Sequence, residues 1–171
     1  MPEALVKSVL NILTYFEPVK TLSRELNDLP NVLYNPFRNQ YRGTLVNKHL
    51  SSLRASPNSV VLGVLDVDAY VEPLNFIFGL ATPYLMTATV YVRRLKLGAN
   101  EEKLTTRVLK EVIHELGHIF GLEHCVNRKC VMSFSNNVFE VDHKELKYCE
   151  KHYGELIKKG FKVSNALKLT Q

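Results

Sequence analysis

The alternation of apolar and polar residues along the chain predicts helices interleaved with strands. Apolar residues recur at helical spacing near the start of the chain, again before Ser52, and once more ahead of Phe120. Runs rich in β-branched and aromatic residues predict strands between them. The predicted helices cover 3–16, 39–52 and 101–120, and the predicted strands cover 18–25, 60–67, 75–80 and 88–95.

The helix predicted over 101–120 has two contrasting faces. Its apolar stripe consists of Leu104, Val108, Leu109, Val112, Leu116 and Ile119. Lys103, Arg107, His114 and His118 project from the other side, which we expect to face solvent. A further helix is predicted from Asp142, because Asp142-x-x-Glu145 is close to a capping box. Its apolar face contains Leu146, Tyr153, Leu156 and Ile157, with Cys149 on that face.

This order of elements predicts an α/β (α+β) fold with a mixed, twisted sheet. At 171 residues the chain is long enough to form one domain with its own core. We expect a single domain over 1–171. It consists of an N-terminal subdomain of about 1–121 and a C-terminal subdomain of about 122–171. Asp66 and Asp68 follow a buried strand and are interpreted as turn residues rather than metal ligands.

Composition and charge narrow the classes of protein. The chain is 46% hydrophobic and 23% charged, and no apolar run approaches the length of a membrane span. Residues 1–17 lack the shape of a signal peptide, and the 3 cysteines do not form a disulfide framework. The net charge of +5 is spread along the chain. We therefore expect a cytoplasmic monomer that binds neither membrane nor nucleic acid.

The run from His114 to His124 has the spacing of a zinc site. His114 and His118 lie one helical turn apart and can bind one metal ion, and Glu115 beside them can reach a water molecule on that ion. Gly121 allows the chain to leave the helix, so that His124 can return to the same ion. Three histidine ligands leave the fourth zinc position open, which is typical of a catalytic site.

All the cysteines lie after His124, which indicates a second zinc site. Cys125 and Cys130 form a loop pair at ligand spacing, and Cys149-x-x-His152 places two ligands one turn apart. Four protein ligands are typical of a structural zinc. The alternative is three unrelated buried thiols, and His143 is the rival to His152 as fourth ligand.

These residues resemble the archaemetzincins. That family combines HExxHxxGxxH with a cysteine directly after the third histidine, then Cys-x4-Cys-x-Met and a later Cys-x-x-Cys. In this chain His152 replaces the last cysteine, and the segment between Met132 and Cys149 is one residue shorter. The resemblance implies a metzincin-like zincin with an active-site helix and a small C-terminal subdomain stapled by zinc.

The same resemblance implies roles for residues outside the ligand set. Met132 corresponds to the methionine in a turn beneath the metal. Residues 38–41 resemble the start of a helix in the family. The edge strand along which a peptide substrate binds corresponds to Phe78, Gly79, Leu80 and Ala81.

We therefore expect a zinc metallopeptidase with two zinc ions, one catalytic and one structural, acting on a peptide or protein. Glu115 is the expected general base. One alternative is a zinc-stabilised interaction module without activity, in which Cys125 closes the first site. Another is a zinc-dependent endoribonuclease of the family that matures bacterial ribosomal RNA. That family resembles His-Gly-x-x-His, whereas this chain has Glu at position 115.

Overall fold

In the computed structural model, residues 1–26 and 28–170 are described, and helices and short strands alternate along them. The helices are α1 (Glu3–Leu13), α2 (Gly43–Ser51), α3 (Val92–Leu95), α4 (Glu101–Ile119), α5 (Val138–His143) and α6 (Glu150–Lys158). The strands are β1 (Phe16–Glu17), β2 (Tyr34–Asn35), β3 (Gln40–Arg42), β4 (Val61–Leu65), β5 (Ala69–Tyr70), β6 (Gly79–Thr82), β7 (Thr87–Tyr91) and β8 (Lys162–Val163). Short 3-10 turns cover Asn31–Leu33, Pro83–Leu85 and Asn165–Leu167. The predicted α/β class is confirmed.

A mixed three-stranded sheet lies between α2 and α4. β7 is the central strand, with β4 parallel to it on one side and β6 antiparallel on the other. Because successive side chains of a strand point to opposite faces, β4 contributes to two cores. Leu62 and Val64 pack into the core that contains α4, whereas Val61 and Leu65 pack against the residues of α2. β6 is an outer strand of this sheet, and it lies next to α4.

Two smaller sheets complete the fold. β3 pairs with β2 and β5, and β1 pairs antiparallel with β8 so that Phe16 lies opposite Val163. This last pair joins the two ends of the described chain. The predicted division near residue 121 stays a prediction, and Asn27 and Gln171, which fall within the predicted domain, lie outside the described residues.

Local sequence features explain where α4 begins and where it ends. The Asn100 side chain accepts a hydrogen bond from the Lys103 backbone N–H, and Glu101 and Glu102 favour the positive end of the helix dipole. Gly121, with φ of +82°, allows the chain to turn away after Ile119. The second half of α4 is buried on all sides, so the expectation that Arg107 and His114 face solvent is wrong. Arg107 is 2% exposed because α5 covers it.

Several predicted elements differ from the observed ones. The strand predicted over 75–80 is observed as β6, which begins at Gly79 and ends at Thr82. Residues 18–25 form no strand. They are exposed to solvent, and no described strand pairs with them. The helix predicted from residue 39 begins at Gly43, because Asn39 has φ of +54° and 40–42 form β3. The strand predicted over 88–95 ends at Tyr91, because Val92–Leu95 turn as α3 and bury Val92 and Leu95.

The C-terminal part contains two short helices rather than one long helix. Asp142 lies inside α5 and does not begin a helix, and Cys149 is the N-cap residue of α6. Leu156 of the predicted apolar face is buried, whereas Ile157 is largely exposed. Asp66 and Asp68 form ion pairs with Lys96 and Arg94, and neither belongs to the candidate metal-binding groups of the described residues. Among the described residues, no helix is long and apolar enough to span a lipid bilayer.

Candidate metal centre

Three histidine side chains converge at the end of α4. His114 and His118 lie one turn apart in the helix, and His124 returns to them after the turn at Gly121. The Nε2 atom of His118 lies 3.2 Å from Nε2 of His114 and 3.2 Å from Nε2 of His124. The structure therefore brings together the three histidines that the sequence motif predicts.

These nitrogens fit a zinc ion. The Nδ1 atom of His114 donates to the Val131 carbonyl oxygen at 2.8 Å, and that of His118 donates to the Leu122 carbonyl oxygen at 2.8 Å. A neutral imidazole protonated at Nδ1 presents a lone pair at Nε2, so the facing Nε2 atoms of His114 and His118 cannot share a proton. In a tetrahedral site with Zn–N bonds of about 2.0–2.1 Å, ligand nitrogens lie about 3.3 Å apart. The observed spacing matches that geometry.

The surroundings keep the three imidazoles neutral. Burial lowers the pKa of His114 well below its usual value, and the Lys144 cation lowers it further. Burial also lowers the pKa of His118 and of His124. Since metals bind the neutral ring, the cluster can bind zinc near pH 7 without first losing protons.

Glu115 is a buried carboxylate beside the histidines and outside the group that they form. It packs against Gly79 of β6, where a Cβ would lie 2.6 Å from Glu115 Cγ. Burial, followed by the charge of Glu111, raises the pKa of Glu115 well above its usual value, and a hydrogen bond from the Ala81 backbone N–H acts in the opposite direction. Glu115 is therefore a stronger base than an exposed glutamate.

Cys125, Cys130, Cys149 and His152 form a second group. The Sγ atoms of Cys125 and Cys149 are 3.8 Å apart, and His152 Nδ1 lies 3.1 Å from Cys149 Sγ and 3.8 Å from Cys130 Sγ. Zn–S bonds of about 2.3 Å place tetrahedral sulfur ligands about 3.8 Å apart, so these residues also fit zinc. Burial raises the pKa of the Cys130 thiol to about 12, which means that a bound cation must drive its deprotonation.

The fourth member of this group is His152. His143 ends α5 with an exposed side chain and does not belong to the group. Because Cys149 is the N-cap of α6, His152 falls in the first turn of that helix, near the thiols. Cys125 lies with the other cysteines rather than with the three histidines.

Met132 lies buried beneath α4. At Gly117, between the two helical histidines, a Cβ would lie 3.0 Å from Met132 Cε and closer still to its sulfur. The absence of a side chain at position 117 therefore lets Met132 contact the helix backbone. Beyond it, the half-exposed ring of Phe134 packs edge-on against His124, with the ring centroids 5.2 Å apart.

The predicted substrate residues lie at the outer edge of the main sheet. Gly79, Leu80 and Ala81 belong to β6, and Phe78 directly precedes it. The Phe78 carbonyl accepts from the Tyr91 N–H, so Phe78 and Leu80 direct their backbone groups towards β7. Gly79 and Ala81 direct their backbone N–H and carbonyl groups away from β7, and the Ala81 N–H donates a hydrogen bond to Glu115.

A buried polar seam between α4 and α5 was not predicted from the sequence. Arg107 binds the Asp142 carboxylate through two hydrogen bonds of 2.7 and 2.8 Å, and Lys144 lies 2.8 Å from the Glu111 carboxylate. Lys110 donates to the Val141 and Asp142 carbonyl oxygens. In the sequence, the seam is visible only as charged residues along one face of the helix, at Lys103, Arg107, Lys110 and Glu111. The same pattern is equally typical of a helix face exposed to solvent.

Comparison with known proteins gives the same family from sequence and from structure. Residues 14–159 match the family model described as peptidase family M54. An archaemetzincin of Methanocaldococcus jannaschii is 42% identical over 142 residues, which is 80% of this chain and 77% of the relative. An archaemetzincin of Nanoarchaeum equitans is 44% identical over 156 residues, covering 91% and 85% of the two chains. The crystal structure of the Methanopyrus kandleri archaemetzincin superposes with a TM-score of 0.82 at 35% identity and covers 93% and 88% of the chains.

Proposed function

Because this chain belongs to peptidase family M54, with the archaemetzincins, it is a zinc metallopeptidase, and we propose which residues perform the reaction. His114, His118 and His124 hold the catalytic zinc, and Glu115 is the general base. The observation that carries this assignment is a buried carboxylate beside three neutral imidazoles whose Nε2 atoms converge at zinc-ligand spacing.

Zinc bound by three histidines supplies a Lewis acid that polarises a carbonyl group and lowers the pKa of water to about 7. The chain's own residues orient those ligands. The Val131 and Leu122 carbonyl oxygens fix the ring orientation of His114 and His118 and make each ring a stronger electron donor.

Glu115 moves the proton in this mechanism. It accepts a proton from the water molecule that attacks the substrate carbonyl carbon, and it then delivers that proton to the leaving amine nitrogen. Its raised pKa suits acceptance of a proton near neutral pH, and the Ala81 N–H fixes the position of its carboxylate.

The substrate is an extended peptide or protein segment that binds along Phe78–Ala81. Gly79 directs its backbone groups away from the sheet and has no side chain to obstruct a second strand. Pairing through the backbone carries little sequence information, so cleavage preference depends on neighbouring side chains, among which Phe134 lies beside His124.

The second zinc is structural in this proposal. Cys125, Cys130, Cys149 and His152 supply four ligands and leave no position for substrate or water. Thiolate ligands persist in a reducing compartment, which favours a cytoplasmic location. The interaction-module hypothesis required Cys125 at the first site, and Cys125 lies with the second group.

A diverse peptide library followed by mass spectrometry tests the proposed function. The wild type and Glu115→Gln are compared, with Glu123→Gln, an exposed neighbouring glutamate, as the matched control. We expect cleavage by the wild type and the control, and a rate about 10²–10⁴-fold lower for Glu115→Gln with unchanged zinc content. Cleavage by Glu115→Gln at the wild-type rate would exclude Glu115 as the base.

A further inference from the structure

Three consecutive backbone carbonyl groups accept hydrogen bonds from His114 of the first candidate metal site, from Cys125 of the second, and from Lys144. Val131 O accepts from His114 Nδ1 at 2.8 Å, and Met132 O accepts from the Cys125 N–H at 2.9 Å. Ser133 O accepts from Lys144 Nζ at 3.3 Å. We call residues 131–133 the carbonyl platform. It orients a histidine of the first site and holds the residue that follows His124.

The platform does not belong to a helix or a strand. The Val131 and Ser133 N–H groups donate to the Lys147 and Cys130 carbonyl oxygens, and the three side chains of the platform are fully or almost fully buried. Because no regular ladder of hydrogen bonds fixes it, its position depends on the side chains that contact it.

Lys144 connects the platform to α4. Its side chain is 1% exposed, and its Nζ lies 2.8 Å from the Glu111 carboxylate, one helical turn before Glu115. Arg107 and Asp142 hold α5 against α4 just before Lys144 in the chain. One ammonium group therefore links the active-site helix to the backbone that orients His114.

We propose that Lys144 is a positioning residue for the three-histidine site. By holding the Ser133 carbonyl against Glu111, it fixes the platform and thereby the orientation of His114 and the path of the chain through His124 and Cys125. This inference rests on the proposed function in that it takes His114 and His124 as zinc ligands.

If Lys144 had only a structural role, a different experimental result would be expected. A buried ion pair can often be replaced by uncharged groups of similar volume without loss of stability. If Lys144 and Glu111 only fill space, a variant in which both charges are removed together should regain stability and zinc binding alike. If Lys144 positions the platform, stability should return without zinc binding and turnover.

The experiment compares Lys144→Met with two double variants, Glu111→Gln/Lys144→Met and Glu111→Met/Lys144→Met. Each is measured well below its own melting temperature. The readouts are the dissociation constants for zinc, from competition with a chromophoric chelator, and kcat and KM on a peptide that the wild type cleaves. We expect the single variant to melt at a lower temperature, because Glu111 is left buried and unpaired. At least one double variant should melt near the wild-type temperature.

In the double variant that regains stability, we expect one zinc ion to bind about 10–100-fold more weakly, as for losses of groups that orient metal ligands. We expect kcat to fall by a similar factor with little change in KM. Lys103→Met is the matched control, because Lys103 reaches the same seam from its exposed end, where its side chain is 47% exposed. It should retain wild-type zinc affinity and kcat.

Wild-type zinc affinity and kcat in a stable double variant would overturn the role of Lys144. The zinc measurement needs no substrate, so it decides this point even if no peptide is cleaved. Failure of the proposed function is recognised separately, by Glu115→Gln retaining full activity.

Discussion

At Gly79 and Gly117 the absence of a side chain lets a functional group reach the backbone of a neighbouring element. The Glu115 carboxylate occupies the space that a Cβ at position 79 would fill, and the Met132 side chain occupies the corresponding space at position 117. Both glycines have ordinary backbone angles, so close approach rather than backbone freedom explains them. The position of the proposed base Glu115 therefore depends on Gly79, a residue without a side chain.

Gly79→Ala should displace Glu115, because the new Cβ would lie 2.6 Å from its Cγ and 2.7 Å from its Cδ. A displacement of about 1 Å in a reacting group costs on the order of 10²-fold in rate, so we expect kcat to fall by about that factor with unchanged zinc content. Gly154→Ala on α6, where a Cβ meets nothing within 4 Å, is the control and should leave kcat unchanged. A wild-type kcat in Gly79→Ala would show that Glu115 need not lie there.

At the scale of secondary-structure elements, α4 provides His114 and His118 and also contacts both the main sheet and α5. One face packs on β6 and β7 with apolar side chains, and the opposite face binds α5 through buried charges. The seam and the buried side chains of Val138 and Val141 together hold α5 in place, and α5 leads directly to Lys144. Within the seam, Arg107 is 2% exposed and forms two hydrogen bonds with the Asp142 carboxylate.

Asp142→Asn should destabilise the fold, because it leaves Arg107 buried without its counter-ion. Hydrogen bonds from Arg107 lower the pKa of Asp142 to about 2. A carboxyl whose pKa is depressed in the folded state stabilises the fold above its unfolded pKa of about 4, and this contribution is lost as the pH falls towards 2. We expect the free energy of unfolding to fall by about 2 kcal/mol at pH 7.

Urea unfolding at several pH values measures this effect. The difference between the wild type and Asp142→Asn should be constant above about pH 4 and shrink as the pH falls towards 2. Glu145→Gln serves as the control, since Glu145 and Lys129 form a half-exposed pair with a separation of 4.0 Å, and it should change little. A difference that grows with acidity would contradict the assigned cause.

At the scale of the whole molecule, residues 122–149 contain only one helix, the six-residue α5, among their described elements. They are held by the seam, by Tyr148, whose hydroxyl donates to the Ile113 carbonyl oxygen, and by the two candidate metal sites. Leu122, Met132, Val138 and Val141 also pack in the apolar core, but their segment lacks the long helix and the sheet to which Val108, Val112 and Val90 belong. Metal binding should therefore stabilise the two parts unequally.

Removal of zinc with excess chelator should unfold the C-terminal part first. We expect amide hydrogen exchange in 122–149 to accelerate strongly, while the amides of β7 and of Val108 and Val112 stay protected. Cys130→Ser should produce part of the same pattern and a lower melting temperature without chelator. Equal acceleration throughout the chain would show that zinc stabilises the fold as a single unit.

The sequence by itself determined the family, the class of the fold and, apart from the choice between His152 and His143, the residues that form the two clusters. These follow from local rules. The spacing of His114 and His118 on one helix and the turn at Gly121 bring three histidines together wherever the rest of the chain lies. The cap at Asn100 and the apolar stripe of α4 are local in the same sense. The sequence left the choice between His152 and His143 open, because that choice depends on where α6 begins.

Only the tertiary structure decided the partners of the charged side chains. Arg107 and Asp142 are 35 residues apart, and Lys144 meets Glu111 across the same interface. A charged face on a helix has the same sequence pattern whether water or another helix covers it. The strand predicted over 18–25 failed for a related reason, since a strand forms only where another strand offers it hydrogen bonds. Local spacing thus defined the candidate ligands, whereas packing between distant segments positioned the proposed base, the seam and the platform.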